Sequence, residues 1–391
     1  MLTPEQIESL RISAEKVADP ISRFLIEDIA RRIAGAGQLT STAAYQVYRA
    51  QQLGLSRKEV ERRLRKMLGT SKEELKGLLT QSAEVGYDFD LKNLPTAAVP
   101  FEQNASIQQM VMAAVALAEE DFTNLTQTLG MVDPFGNVQP LRDAYRKSMD
   151  YAFQQVFTGA ADYNTAIRQA SKNIADQGVR VIDYESGVHT SLEAAVRRNI
   201  MGGLGLLQEQ ISDYNHDSFG ANGWEISAHA NSAPDHEPIQ GKQYTDAQYK
   251  ALNESLRRRI GTLNCGHAAF PIVLGVSEPQ YTEEDLRQFR ENNAGGISFE
   301  GRHYTGYEAT QKQRQIERGI RTQERRIVVD EATGAESLQQ NQIKLHRLNE
   351  VYRNFSKSAG LRTERERLMV VGFGKGHARR ANATAKRHSE N

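Results

Sequence analysis

Apolar residues recur every three to four positions along most of the chain, the spacing that lines one face of an α-helix. Ile7, Leu10, Ile12 and Val17 form one such stripe after Pro4, and Ile21, Phe24, Leu25 and Ile29 form another after Pro20. Gly35-Ala36-Gly37, Gly54 and Gly69 interrupt the pattern, while Ser56-x-x-Glu59 and Ser71-x-x-Glu74 have the form of capping boxes. Residues 1–95 therefore read as short antiparallel helices on tight turns, N-terminal helical hairpins. The period is lost from Asp88 to Pro100, which reads as a linker.

Beyond the linker, Ile107, Met110, Val111, Ala114, Val115, Leu117 and Ala118 make one wide apolar face expected to pack, across an Asp133–Asn137 turn, on a helix over 141–157, and residues 161–177 make a third helix. Val179, Val181 and Ile182 are β-branched and precede Glu185-Ser186-Gly187, so a short strand is predicted over 179–184. Thr190-x-x-Glu193 opens a long helix with Leu192, Val196, Ile200, Leu204, Leu207 and Ile211 on one face. Gly202, Gly203 and Gly205 lie inside it. Each costs about 1 kcal/mol against Ala, which predicts close approach of a neighbouring backbone.

Further on, Thr282 is placed to start a helix, and Ile297-Ser298-Phe299 and Arg302-His303-Tyr304 flank Glu300-Gly301 as a hairpin would. Residues 311–326 and 338–355 read as polar helices that lie on a surface or pair with another protein. From Gly372 the chain is Gly-rich, basic and poor in large apolar residues, the composition of a mobile tail. The predicted class is α+β, predominantly α-helical. Its regions are the hairpins at 1–95, a middle helical domain at 96–220, a small α/β unit at 221–306, and polar helices with a basic tail at 307–391.

The small α/β unit holds the candidate chemistry. It contains the only Trp and the only Cys of the chain, with His229, His236, Cys265 and His267 lying near short apolar runs. Neutral imidazole and thiolate are zinc ligands, and these residues would make a tetrahedral His3Cys set, although their spacing departs from the common finger patterns. The alternative is a buried thiol with hydrogen-bonded histidines. A set of four protein ligands closes the coordination sphere and is structural; a metal-dependent hydrolase or nuclease is the competing function. Glu225 and Glu237 are close enough in sequence to act as its general base. Neither belongs to a His-Glu-x-x-His or His-x-Glu signature, and the chain has no Walker A, Rossmann or Gly-x-Ser-x-Gly motif.

Lys plus Arg number 49 and Asp plus Glu 49, so no net charge draws the chain to nucleic acid or membrane. The distribution is uneven: residues 311–391 carry 18 basic and 9 acidic side chains. Lys375, Arg379, Arg380, Lys386 and Arg387 are candidate contacts to DNA phosphates, with no sequence to read. The lone Cys permits no intramolecular disulfide, and no apolar run reaches transmembrane length. The start of the chain lacks the basic and apolar regions of a secretion signal, so synthesis and retention in the cytoplasm, or exit by assembly into something larger, are expected.

A linear order of small motifs adds a resemblance. Ser227-x-His229, Ala233-Pro234-x-His236, Gln240-Gly241-Lys242, Leu263-Asn264-Cys265-x-His267 and Pro271-x-x-Leu274-Gly275 follow one another, preceded by Gly178–Gly187. In this order the chain resembles the tailed-phage minor capsid proteins related to the Mu F-like head-morphogenesis proteins, over residues 100–290. Two positions depart from that pattern: Ala233 and Gly266 stand where the family carries Arg, so no anion-binding role passes to them. Cys265-x-His267 is the counterpart of a Cys-x-Cys in the Mu F-like relatives, which strengthens the zinc reading. The resemblance implies a virion protein at the portal vertex inside the head, present in the host cytoplasm during assembly. Its implied partners are the portal oligomer, capsid proteins and packaged double-stranded DNA, with a part in head morphogenesis and DNA ejection.

Overall fold

The computed structural model describes residues 4–92, 99–133, 135–183, 185–261, 266–368, 370 and 373–389. Helix accounts for 69% of the chain and strand for 9%, which makes the class α+β with helix dominant. Helices α1 (Pro4–Gly37) and α2 (Thr42–Lys92) come first, then a 3-10 turn at Phe101–Gln103 and α3 (Ala105–Gln127). Strands β1 (Leu129–Val132) and β2 (Val138–Pro140) lead to α4 (Leu141–Phe157) and α5 (Tyr163–Gln177), and β3 (Arg180–Ile182) and β4 (His189–Ser191) to α6 (Leu192–Phe219). Next are β5 (Gly223–Ile226), β6 (Gln243–Thr245), α7 (Asp246–Ser255), β7 (Ala269–Ile272), α8 (Glu283–Gly295), β8 (Ile297–Phe299) and β9 (Arg302–Tyr304). The chain ends in α9 (Gly306–Thr333), α10 (Leu338–Ser358), α11 (Arg365–Leu368) and α12 (Lys375–Ser389).

Several sequence-based expectations hold. The strand expected over 179–184 is β3, and β8 and β9 form the expected hairpin, with Glu300 (φ 49°) and Gly301 (φ 77°) both left-handed at its turn. Thr282 caps α8 in a full capping box with Asp285. The turn at 133–137 is stapled by Asp133, whose carboxylate accepts from the Phe135 and Asn137 amides.

Others are corrected. The short N-terminal helices are two long ones of 34 and 51 residues: Pro20 lies inside α1, and Gly54, Gly69, Gly77 and Gly86 lie inside α2. An interior Pro costs about 3 kcal/mol, but Val17, Ala18, Ile21, Phe24 and Leu25 are buried around it, and each large apolar side chain buried returns about 1.5–3 kcal/mol. The linker expected from Asp88 is helical as far as Lys92, where α2 ends; residues 93–98 lie outside the described residues. The glycines of α6 do not all mark a close approach, since a Cβ on Gly202 or Gly203 would meet nothing within 4 Å among the described residues. Helix α6 is instead approached closely by Gly86 of α2, where a Cβ would lie 1.9 Å from Oε1 of the buried Gln208. The polar α9 is packed within its own part of the chain, with Ile316, Ile320, Ile327 and Val329 buried.

The chain divides into two compact units, each assembled from separated segments. One comprises Lys16–Ser71, Thr123–Ala195 and Gln313–Asn391. Its antiparallel sheet has the strand order β2-β1-β3-β4 and packs against α4 and α5. Tyr45 stacks on Phe153 with centroids 4.0 Å apart, beside buried Ala36 and Met149. Within it Arg32 grips Asp28 at 2.8 and 3.2 Å, and Tyr145 donates to the same carboxylate at 3.1 Å. The other unit comprises Met1–Glu15, Lys72–Phe122 and Val196–Lys312, and carries the sheet β6-β5-β7 with α7, α8 and the hairpin. Phe89 of α2 meets Phe270 of β7 edge to face at 5.3 Å, and the buried Asp90 accepts from Ser212 and Asn215 of α6. Burial pushes the Asp90 carboxyl up to about 6.

Helix α9 carries an ionisable group whose burial has a measurable consequence. Glu324 accepts from the Val370 amide, and burial pushes its carboxyl up to about 8 from 4.5, against the opposing pull of Val370, Arg321 and Arg325. The unfolded chain loses this proton above 4.5, whereas the folded chain keeps it to about 8, so stability falls as pH rises through that interval and levels off above it. Glu324→Gln is expected to flatten the slope, read from melting temperatures over a pH series; an unchanged slope contradicts the assignment. Gly202→Ala and Gly203→Ala are each expected to raise unfolding free energy in urea by up to about 1 kcal/mol. Gly86→Ala, which drives a Cβ into the Gln208 amide, is expected to lower it.

Candidate metal centre

Strand β5 is the middle of its sheet, paired antiparallel with β6 through Trp224–Tyr244 and with β7 through Glu225–Phe270 and Ile226–Ala269. The two segments stay together beyond the β5–β7 ladder. Ser227 donates its amide to Ala268 O at 2.8 Å, and its hydroxyl accepts from the Ala268 amide at 2.9 Å. His229 and His267, distant in sequence, are brought side by side by that register. Between them the chain makes a tight turn in which the His236 amide donates to Ala233 O and the Gln240 amide to His236 O.

Three of the sequence-predicted ligands converge. The rings of His229 and His267 have centroids 4.3 Å apart, and those of His236 and His267 lie 5.3 Å apart, nearly edge to face. His236 and His267 are fully buried. Each ring has its proton placed by an acceptor. Nδ1 of His229 donates to Ala230 O at 2.8 Å, Nε2 of His236 to Arg258 O at 3.0 Å, and Nε2 of His267 to the Gln240 side-chain oxygen at 2.9 Å. A carbonyl oxygen only accepts, so the lone pairs are left on His229 Nε2, His236 Nδ1 and His267 Nδ1. His236 Nδ1 is buried with no hydrogen-bond partner among the described residues. Burial, with the neighbouring imidazoles, pushes His267 down to about 2, and burial likewise lowers His236, so both rings are neutral at physiological pH.

Gln240 is the residue that sequence reasoning missed. Its buried side-chain oxygen accepts from the His229 amide at 3.1 Å as well as from His267. Only its place in the Gln240-Gly241-Lys242 motif marked it. Gly266, at φ 84°, is left-handed, and a Cβ there would lie 3.1 Å from His229 Nε2. Any side chain at 266 would crowd that lone pair. Cys265 lies outside the described residues. Among the described residues no group of three or more His, Cys, Asp or Glu is arranged to hold a metal ion.

The chain matches the family described as phage minor capsid protein 2 over residues 2–357. It belongs to that family. Nothing among curated proteins or solved structures matches it. As a member it is a minor capsid protein of a bacteriophage, with a part in head morphogenesis and a place in the virion. No helix among the described residues is long and apolar enough to cross a membrane.

In this capsid protein the carboxylates considered as general bases are committed elsewhere. Glu225 is buried and accepts from the Gln280 amide at 2.9 Å and from Gln243 at 3.1 Å, while Glu237 accepts from Asn293 at 2.7 Å. Asn293 also donates to Ser232 O and accepts from the Tyr307 amide, tying α8 to the turn that carries His236.

The candidate DNA contacts Lys375, Arg379, Arg380, Lys386 and Arg387 lie on α12, beyond the matched residues. The expectation of a mobile tail is corrected: α12 is an ordered helix packed on α10. Its buried face is Ala381, Thr384 and Ala385, and Thr384 donates to Gln342 at 2.8 Å. A search for large apolar residues overlooks a face built from alanines. Arg380 is taken up by Glu331 of α9, which it grips at 2.8 Å through both carboxylate oxygens, with His377 on the same carboxylate at 3.0 Å.

Gln240→Leu removes the acceptor shared by the His229 amide and His267. It is expected to lower unfolding free energy by roughly 2 kcal/mol or more, the cost of stranding buried donors. Urea denaturation of the full chain measures this, and an unchanged midpoint counts against the hub.

Proposed function

We propose that this minor capsid protein works at the portal vertex, inside the head, joining the portal oligomer to the packaged duplex, and that a zinc ion cross-links its small α/β region. The family match over residues 2–357 carries the head role. Assembly onto the portal begins in the host cytoplasm, and the chain takes part in DNA ejection.

The zinc reading is supported by the tautomers. Metal-ligating histidines donate their second ring nitrogen to a carbonyl or carboxylate, which fixes the ring and leaves the other lone pair for the metal. His229, His236 and His267 each follow that pattern, and the buried Nδ1 of His236 lacks any other use among the described residues. Cys265, two positions before His267, supplies the thiolate. Four such ligands close the coordination sphere, so the ion's contribution is a structural cross-link between the turn at 229–236 and the approach to β7. The purified full chain is expected to carry zinc in stoichiometric amount by elemental analysis, and strong chelator to lower its melting temperature. Absence of zinc together with a melt indifferent to chelator overturns this reading.

The portal reading is supported by α3. Ile107 and Val111 are buried in the chain's own core, while Met112 and Leu117 are 64% and 57% exposed. Removing apolar side chains from water is favourable, so these two are surface that a protein partner would bury. The full chain, co-expressed with its portal protein, is expected to co-elute with the portal oligomer in size exclusion. Met112→Glu with Leu117→Glu is expected to abolish co-elution without changing the melt; co-elution that survives the pair moves the interface elsewhere.

A further inference from the structure

The basic residues at the end of the chain are half of a larger arrangement. On α12, Lys375, Arg379, Asn382 and Lys386 follow the spacing i, i+4, i+7, i+11, which places them along one helix face. On α10, His346, Glu350, Arg353 and Lys357 have the same spacing. The stripes meet where His346 Nδ1 and the Asn382 side-chain oxygen hydrogen-bond at 3.0 Å, an exposed contact. The helices run antiparallel there, since the neighbouring hydrogen bond joins Gln342 to Thr384. Arg353 and Lys357 therefore extend toward the end of α12 that carries Lys375 and Arg379. Arg353, Lys357, Lys375, Arg379 and Lys386 are exposed, and Glu350, the one acid of α10, is turned to the half-buried His346 at 3.5 Å.

We propose that α10 and α12 together form a two-helix platform for the phosphates of duplex DNA, with Arg353 and Lys357 of α10 contributing alongside Lys375, Arg379 and Lys386 of α12. It rests on the reading that packaged DNA is a partner of this chain. Charge complementarity selects the occupant: the whole chain is neutral, yet α12 contains no acidic residue and α10 only Glu350. Segregated positive charge on a rigid helical pair suits a polyanion with regularly spaced charges, and no base-reading side chain is required. Arg380 and His377 are positioning residues, because Glu331 holds them and thereby holds α12 against its neighbours. Lys344 and Arg347, also exposed on α10, lie off the stripe that contains His346.

Lys344 and Arg347 therefore serve as the control. Binding of the full chain to unrelated duplexes is measured by fluorescence anisotropy over a range of salt, for wild type and three variants whose helix content is checked by circular dichroism. The variants are Arg353→Gln with Lys357→Gln, Lys375→Gln with Arg379→Gln and Lys386→Gln, and Lys344→Gln with Arg347→Gln. Each phosphate that a variant no longer neutralises is expected to flatten the log-log salt slope by about 0.9, so the first two variants bind more weakly with shallower slopes. The third removes as much charge as the first but off the stripe, and is expected to bind nearly as wild type. If the first variant behaves like the third while the second loses binding, the platform is wrong and α12 alone touches DNA. If wild type itself shows no salt-dependent binding, the DNA partner is wrong and the platform falls with it.

Discussion

The antiparallel pairing of β5 with β7 is the constraint on which the candidate site depends. The two strands are some forty residues apart, and their register continues past the ladder through the reciprocal Ser227–Ala268 bonds. Side chains alternate across a strand, so a slip of one residue would turn Trp224 and Ile226 from one face of the sheet to the other. It would also part His229 from His267, whose positions follow from the backbone that carries them. The turn holding His236 then has its place set by Gln240, which answers both neighbouring imidazole segments with one buried oxygen.

A different constraint governs the C-terminal helices. Helix α9 buries Gln313, Glu317, Gln323, Glu324 and Asp330 as well as its isoleucines, and buried polar groups are costly unless bonded. The following chain satisfies most of them. Gln313 donates to Ser356 and Arg362 O, Glu317 accepts from Tyr352 and Arg367, and Asp330 accepts from Ser337 and Asn341. Such a network specifies one arrangement of α9, α10 and the segment at 361–368 more sharply than an oily seam would, because each misplacement strands a buried group. Glu324 stands at its edge: one carboxylate oxygen is buried without a hydrogen bond among the described residues, consistent with a carboxyl that keeps its proton to about 8. The same principle leaves α12 in register, through Arg380 and His377 on Glu331 and Thr384 on Gln342.

The features legible from the chain alone are local ones. Hydrophobic period marks the helices and β-branching marks β3. Glu300-Gly301 dictates the turn of the last hairpin, and Thr282 with Asp285 starts α8, because these signals act within a few residues and need no distant partner. The linear motif order marked the residues that meet as an imidazole cluster, and the family match over residues 2–357 agrees with it. Tertiary structure decided where helices end, since burial around Pro20 outweighs a local penalty that sequence reading takes at face value. It decided which glycine marks a close approach, because Gly86 and Gly202 look alike until the neighbouring helix is placed. It made an ordered helix of a segment that composition calls a tail, because the alanines of α12 bury a face only when α10 and Glu331 are there to receive it. The tautomers of the three histidines belong to the same class: each is set by a carbonyl or amide oxygen that only the folded chain brings within reach.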